Sequence, residues 1–123
     1  MAELTEYLNR AVGDRASDLF IVAGGPVSEK LEKRITSISA ERIFPRETEE
    51  LIRQVYSVAK RPMDRYMEEG DDDFSFSVPS LARFRVNVYR QRGSMAAVIR
   101  VVAFDIPSWK DLLIPEGVMA LSQ

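Results

Sequence analysis

The second half of the chain alternates apolar with polar side chains, and this period of two constrains the fold more than any other feature. Side chains of a β-strand point alternately to opposite faces, so each alternating run predicts a strand with one buried face. The runs are Asp73 to Val78, Arg83 to Gln91 and Met95 to Val102. Pro79-Ser80 separates the first two, and Arg92-Gly93-Ser94 favours a tight hairpin before the third. We therefore expect an antiparallel meander.

Apolar residues at helical spacing predict helices that cover the buried face of these strands. The first helix covers Leu4 to Val12 and ends at Gly13. A second begins at Pro45 with an acidic first turn, and a shorter third runs from Pro62 to Gly70. A fourth is expected to begin at the capping-box-like sequence Ser108 to Asp111.

Two apolar stretches in the first half predict further strands. Ser17 to Ala23 is a short β-rich run that Gly24-Gly25-Pro26 stops, and Val27 to Ile38 reads as two weak strands. Helices and antiparallel strands that occur in separate blocks predict an α+β domain, with an antiparallel sheet packed with helices.

Composition narrows the possible functions. A chain of 123 residues that is 46% hydrophobic and 29% charged fits one domain with one core. The chain contains no Cys and no His, which excludes disulfides, catalytic triads that use imidazole, and zinc sites built on thiolate or imidazole. Its net charge is −2 and its sequence pI is about 5.2, so any site for a polyanion must be local. Short apolar runs and an acidic start predict a cytoplasmic protein. A metal site would need oxygen ligands alone, and none is expected.

Several familiar motifs are incomplete. Ser57-Val58-Ala59-Lys60 fits the Ser-x-x-Lys of the serine β-lactamases but lacks its companion motifs. The acidic residues from Glu68 to Asp73 lack the spacing of a calcium loop and predict a solvated turn. Gly24-Gly25 is not a dinucleotide fingerprint, and no Gly-x-x-x-x-Gly-Lys-Ser/Thr loop occurs, so this chain alone is not an NTPase.

The polar face of the predicted hairpin is cationic, with Arg83 and Arg85 beside Asn87. Guanidinium groups are planar donors that suit phosphate oxygens, so these arginines predict a local anion site within an acidic protein. The alternative is a solvated sheet face whose arginines form salt bridges with Asp71 to Asp73.

A resemblance to a known family rests on five stretches. They are Ala16-Ser17-Asp18-Leu19, Glu49-Glu50-Leu51-Ile52, Asp73-Phe74-Ser75-Phe76-Ser77-Val78-Pro79, Ala82 through Ser94, and Ala97-Val98-Ile99-Arg100. With them the chain resembles the N-terminal domain of the type IV pilus retraction ATPases, the PilT family, over nearly its whole length. It departs from the family pattern at Phe20, where the family usually has His, and at residues 26–38, which lack the family's landmarks.

This resemblance implies that residues 1–107 form a PAS-like domain and that residues 108–123 begin a linker to a RecA-like ATPase domain beyond this sequence. It implies a homohexamer whose function is pilus retraction and twitching motility, with ATP and Mg²⁺ bound by the full-length protein. The implied partners are ATPase domains of the same and neighbouring subunits and an inner-membrane platform protein. The implied location is cytoplasmic, at the inner face of the cell membrane, and no nucleic-acid partner is expected.

By position in the family motif, Arg85 and Arg100 are the residues expected to reach the γ-phosphate of ATP bound by a neighbouring subunit. Arg83, Arg90 and Arg92 are expected to contribute to subunit packing or nucleotide sensing. No catalytic residue is expected within this chain.

Two other functions remain open at the level of sequence. One is a stand-alone PAS-like module that binds a small ligand in an inner cavity. The other is single-stranded nucleic-acid binding, with Arg83, Arg85 and Arg90 on the backbone and Tyr89 as a stacking platform, although the acidic pI opposes it.

Overall fold

The computed structural model of the protein describes residues 4–39 and 41–104, and over these residues it contains three helices and six strands. In chain order they are α1 (Leu4–Gly13), β1 (Asp18–Ile21), β2 (Ser28–Leu31), β3 (Arg34–Ser37), α2 (Pro45–Ala59), α3 (Asp64–Glu69), β4 (Asp71–Val78), β5 (Ala82–Gln91) and β6 (Ser94–Phe104). The α+β class is confirmed, and each element expected between residues 4 and 102 is present. The fourth helix and the linker lie outside the described residues.

All six strands form one antiparallel sheet in the order β3-β2-β1-β6-β5-β4. The expected meander is the half made of β4, β5 and β6, and the first strand, β1, pairs with the last, β6. Gln91 pairs with Ser94, which leaves Arg92 and Gly93 as a two-residue turn. Both turn residues have positive φ, 52° and 80°, as the primed turns that suit a twisted hairpin require.

The core lies between the helices and one face of the sheet. Helix α1 packs on β1, α2 crosses β6 and β4, and α3 lies against β4. Side chains such as Leu8, Ile52, Phe84 and Ile99 are completely buried there. Burying an apolar side chain of this size stabilises a fold by about 1.5–3 kcal/mol. The alternation of apolar and polar residues in β5 therefore determines which face of the strand packs on the core.

The acidic run at residues 68–73 corrects one expectation. It is not a solvated turn, because Asp71 to Asp73 open strand β4 after α3 ends at Gly70. Asp72 shares its side of the strand with Phe74, and its side chain is completely buried. A carboxylate can be buried here because Arg61 neutralises it.

Candidate functional site

The face of the sheet opposite the helices carries the predicted arginines. On β5, Arg83 and Arg85 are exposed, whereas their neighbours Phe84 and Val86 are completely buried. The alternation predicted from the sequence is therefore confirmed, and the arginines are on the side that can meet another molecule.

Arg85 on β5 and Arg100 on β6 are direct cross-strand partners. Their side chains are 63% and 70% exposed. Residues that face each other across an antiparallel pair have Cβ atoms about 4.5–5.5 Å apart, and like charges at that separation repel each other. The two guanidinium groups therefore place their N–H donors side by side on the exposed face.

Each of these arginines has a carboxylate beside it. Asp73 on β4 accepts from Arg85, with Nε to Oδ1 at 3.3 Å and Nη2 to Oδ2 at 3.1 Å. This contact raises the pKa of Arg85 above its usual value. Asp18 on β1 accepts from Nε of Arg100 through Oδ1 at 3.2 Å. Thus the alternative of an ion-paired, solvated face describes Arg85 in part, while Arg100 pairs with a residue that the sequence did not indicate.

The other three candidate arginines lie in different places. Arg83 lies on the same face as Arg85, opposite Ser77 of β4. Arg90 is on the helix side, with its guanidinium carbon 5.7 Å from the ring centroid of Tyr66. Arg92 is in the hairpin turn. The structure thus brings Arg83, Arg85 and Arg100 together and places Arg90 and Arg92 elsewhere, which corrects the grouping of Arg90 with Arg83 and Arg85 in the nucleic-acid hypothesis.

A buried polar cluster under α2 was missed by the sequence analysis. Both carboxylate oxygens of Asp72 accept from Arg61 at 2.9 Å, and the Tyr56 hydroxyl donates to the same carboxylate at 2.9 Å. Burial would raise the pKa of Asp72, but the hydrogen bonds from Arg61 and Tyr56 outweigh it and hold that pKa below its usual value. The guanidinium of Arg61 also stacks 4.7 Å from the ring centroid of Phe74. This cluster joins α2 to β4 and is structural.

A second buried carboxyl, Glu29 on β2, faces the end of α1. Its residue is 1% exposed, and its Oε1 has no hydrogen-bond partner among the described residues. Burial first, and then the neighbouring Asp14 carboxylate, raise the pKa of Glu29 to about 7. Asp14 itself is paired with Arg10 at 2.9 Å. The Glu29 carboxyl is therefore protonated at a higher pH than an ordinary glutamate.

The described residues contain no group of three or more acidic side chains arranged to hold a metal ion, and no helix among them is long and apolar enough to cross a bilayer. A cavity of about 760 Å³ lies between Tyr7 of α1 and the segment from Glu41 to Glu47. A smaller cavity of about 360 Å³ lies beside Arg42 and Arg92. Both border the exposed side chain of Phe44.

Comparisons with known proteins agree with this architecture. The chain is 31% identical over 114 residues to the type IV pilus ATPase PilU of Pseudomonas aeruginosa, and 30% identical over 111 residues to that organism's type IV pilus retraction ATPase PilT. The alignments cover 93% and 89% of this chain but only 29% and 31% of the two relatives, so the chain spans about a third of their length. No protein-family model matches the chain.

Among solved structures, a crystal structure of the pilus retraction motor PilT with bound ADP matches with a TM-score of 0.71 at 32% identity. The match covers 94% of this chain and 34% of that one. The ATPase DotB of Legionella pneumophila matches with a TM-score of 0.60 at 22% identity, over 80% of this chain and 27% of that one, which shows a shared fold.

In both fold and sequence, most of this chain is similar to one part of the pilus ATPase class. Within that class it is a homologue of PilU and PilT, consistent with the N-terminal domain of a PilT-like ATPase, and the resemblance recognised in the sequence is confirmed.

Proposed function

We propose that this domain is the N-terminal part of a hexameric pilus-retraction ATPase, and that it supplies Arg85 and Arg100 toward the γ-phosphate of ATP held by a neighbouring subunit. The observation that carries the proposal is the cross-strand pairing of these two arginines on the exposed sheet face. An arginine that stabilises charge on a transferring phosphoryl group can increase the rate by about 10³–10⁵.

The residues present fit a phosphate group. Arg100 engages Asp18 through Nε, and its two terminal nitrogens have no partner among the described residues. Bound ATP and Mg²⁺ supply the transferable phosphoryl group and would be held by the RecA-like ATPase domain, while this domain adds positive charge from outside. Arg83 on the same face, with Arg90 and Arg92 at the far end of the hairpin, would contribute to subunit packing or nucleotide sensing.

The proposed motion is a hinge closure. Residues 1–107 would move as a PAS-like domain about the linker at residues 108–123, closing toward the ATPase domain of the same subunit when nucleotide is bound and opening after hydrolysis. Its proposed partners are the ATPase domains of its own and adjacent subunits and the platform protein of the pilus. Its proposed location is the cytoplasmic face of the inner membrane, and its proposed role is twitching motility.

The test uses the full-length protein with Arg85→Ala and Arg100→Ala. Each variant is expected to lose ATPase rate by about 10³-fold or more while it keeps hexamer assembly and melting temperature. Arg53→Ala is the matched control, because Arg53 is a largely exposed arginine on α2 that also pairs with a carboxylate, Glu49. Normal ATPase rate and normal assembly in both variants would sink the proposal.

A second candidate function has one observation in its favour. The cavity beside Tyr7 has a volume, about 760 Å³, within the range of small-molecule sites. A stand-alone ligand-binding module of this kind would show a rise in melting temperature that grows with ligand concentration. The cavity borders exposed Phe44 and is not enclosed in the core, which favours the motor domain.

A further inference from the structure

We infer that Asp18 is a positioning residue: it fixes the guanidinium of Arg100 so that the two terminal nitrogens are presented to a phosphate. This inference rests on the proposed function, since it concerns how one of the two proposed γ-phosphate arginines is held. It also assigns a role to the stretch Ala16 to Leu19, which carries part of the family resemblance but has no function in the proposal above.

The environment of Asp18 differs from that of an ordinary surface carboxylate. Its side chain is 8% exposed, whereas that of its partner Arg100 is 70% exposed. One oxygen, Oδ2, accepts from Ser17 Oγ at 2.8 Å, and the other accepts from Nε of Arg100 at 3.2 Å. The carboxylate is therefore an anchored, buried end of an ion pair whose other end reaches solvent.

The backbone around Asp18 is fixed on both sides. Ser17 N–H donates to the Lys30 carbonyl at 2.9 Å, and the Ser17 carbonyl accepts from Val101 N–H at 2.9 Å. Asp18 itself stands opposite Lys30 on one side and Arg100 on the other in the sheet register. The backbone that carries the carboxylate is held between two neighbouring strands, and the Ser17 hydroxyl binds its other oxygen, so the carboxylate is the more constrained partner of the long, exposed arginine.

The contact through Nε has a chemical consequence. A guanidinium group carries five N–H donors in a rigid plane, and only Nε of Arg100 is used by Asp18. The terminal nitrogens are left for a bidentate contact with phosphate oxygens, in an orientation set before the phosphate arrives.

Asp73 provides the contrast. It holds Arg85 through both Nε and Nη2, and both side chains are largely exposed, at 50% and 63%. That contact engages Nη2, one of the two terminal nitrogens that a phosphate would take, so Asp73 shares this nitrogen with an incoming anion. The two arginines thus differ: Asp18 leaves both terminal nitrogens of Arg100 to an anion, and Asp73 occupies part of one of those of Arg85.

The test measures ATPase kinetics of the full-length hexamer for Asp18→Ala, Arg100→Ala and the double variant. Asp18→Ala is expected to lower kcat by about 10-fold or more, the scale on which residues that orient functional groups act. The double variant is expected to be no slower than Arg100→Ala, because Asp18 acts only through Arg100. Asp18→Asn keeps an acceptor oxygen for Nε and is expected to retain more activity than Asp18→Ala. Glu49→Ala, which removes an exposed carboxylate from another ion pair, is the matched control.

The outcomes separate the inference from the proposed function. If Arg100→Ala retains full activity, the proposed role of Arg100 fails and the inference fails with it. If Arg100→Ala is slow but Asp18→Ala is normal, only the inference is overturned. A double variant slowed by the product of the two single effects also overturns it, since Asp18 would then act independently. Should Asp18→Ala not fold, Asp18→Leu at an unchanged melting temperature decides the question, because leucine keeps the bulk of the side chain and offers no acceptor to Nε: a normal kcat overturns the inference, and a reduced kcat that adds nothing to Arg100→Ala supports it.

Discussion

Asp72 and Asp73 are adjacent residues of the same type, yet the sheet gives them opposite roles. Asp72 points to the helix side, where Arg61 and Tyr56 bind it, and Asp73 points to the solvent side beside Arg85. Their side chains are 0% and 50% exposed. The difference arises from strand geometry, since successive side chains leave a strand on opposite faces.

Asp72→Ala is therefore expected to destabilise the domain strongly. It leaves the buried Tyr56 hydroxyl without an acceptor and removes the carboxylate partner of Arg61, whose side chain is 35% exposed. The expected loss in the free energy of unfolding is about 2–4 kcal/mol. Urea unfolding measures this loss, and Asp73→Ala is the control on the next residue, with a much smaller change expected because water replaces its partner. Equal losses in the two variants would refute the assignment.

Glu29 predicts an unusual dependence of stability on pH. Its pKa is about 7 in the fold against an ordinary value of 4.5, so the folded state holds a proton that the unfolded state loses between these values. The Glu29 contribution to stability is therefore greatest below pH 4.5 and falls as the pH rises to 7.

Glu29→Gln tests this directly, because glutamine has the same shape and no charge. At pH 8 the variant is expected to be more stable than the parent by about 1 kcal/mol or more, since each unit of pKa shift corresponds to about 1.4 kcal/mol. At pH 4, below both pKa values, Glu29 is protonated in the folded state and largely protonated in the unfolded state, so the difference should nearly vanish. Melting temperatures at the two pH values give the answer, and a variant less stable than the parent at pH 8 would contradict it.

Among the elements, those with a clear period could be predicted and the contacts between them could not. The alternation in β5 and the helical spacing in α2 were enough to predict both elements, because the apolar side chains that each element buries are close together in sequence. The pairing of β1 with β6 joins residues about eighty positions apart, and no local pattern records it. The Asp18–Arg100 contact depends on that pairing, so sequence reasoning found the arginine and missed its partner.

Burial of the two acidic residues did leave a signal. Asp72 falls in phase with Phe74, and Glu29 falls in phase with Val27, so each occupies a core position of its strand. Treating residues 68–73 as one acidic run overlooked that Asp72 lies on the same face of the strand as Phe74. An acidic residue in phase with core positions is a better indicator of a buried carboxyl than the number of charges around it.

The turn between β5 and β6 holds Arg92 in a backbone conformation that is unfavourable for arginine. Arg92 has a φ of 52°, a region that Asn and Gly adopt more readily. We expect Arg92→Asn to raise the free energy of unfolding by about 0.5 kcal/mol, because Asn-Gly is the favoured pair for this turn. Thermal unfolding of the domain measures this gain.

Gly93→Ala is the matched change at the next position. Gly93 has a φ of 80°, and nothing lies within 4 Å of where a Cβ would stand, so the expected loss of about 1 kcal/mol is purely a backbone effect. If Arg92→Asn instead lowers the free energy of unfolding, the lost Arg92 side chain must make a contact that stabilises the fold.

At the scale of the whole molecule, an acidic protein displays exposed arginines on one face of its sheet. The net charge of −2 gives no general attraction for anions, while Arg83, Arg85 and Arg100 gather guanidinium donors on this face, two of them beside carboxylates. This arrangement suits a domain that meets one phosphate group at one interface.

The proposed motor function requires a phosphate loop elsewhere in the same gene. A Gly-x-x-x-x-Gly-Lys-Ser/Thr sequence is expected in frame after the proposed linker, since this chain contains no such loop and spans about a third of its relatives. Sequencing downstream of Gln123 checks it. A stop codon there would leave the ligand-binding module as the better account.

If the arginines act between subunits, two inactive proteins should restore each other's activity. One full-length variant carries Arg100→Ala, and the other carries an alanine in place of the lysine of its phosphate loop. In a mixed ring, a site that joins the intact arginine of the second variant to the intact phosphate loop of the first has all its parts. With equal mixing and independent sites, about a quarter of the sites would be complete. ATPase activity should therefore appear after subunit exchange and be absent from either variant alone, whereas no recovery from rings shown to be mixed would mean that Arg100 acts within its own subunit or not at all.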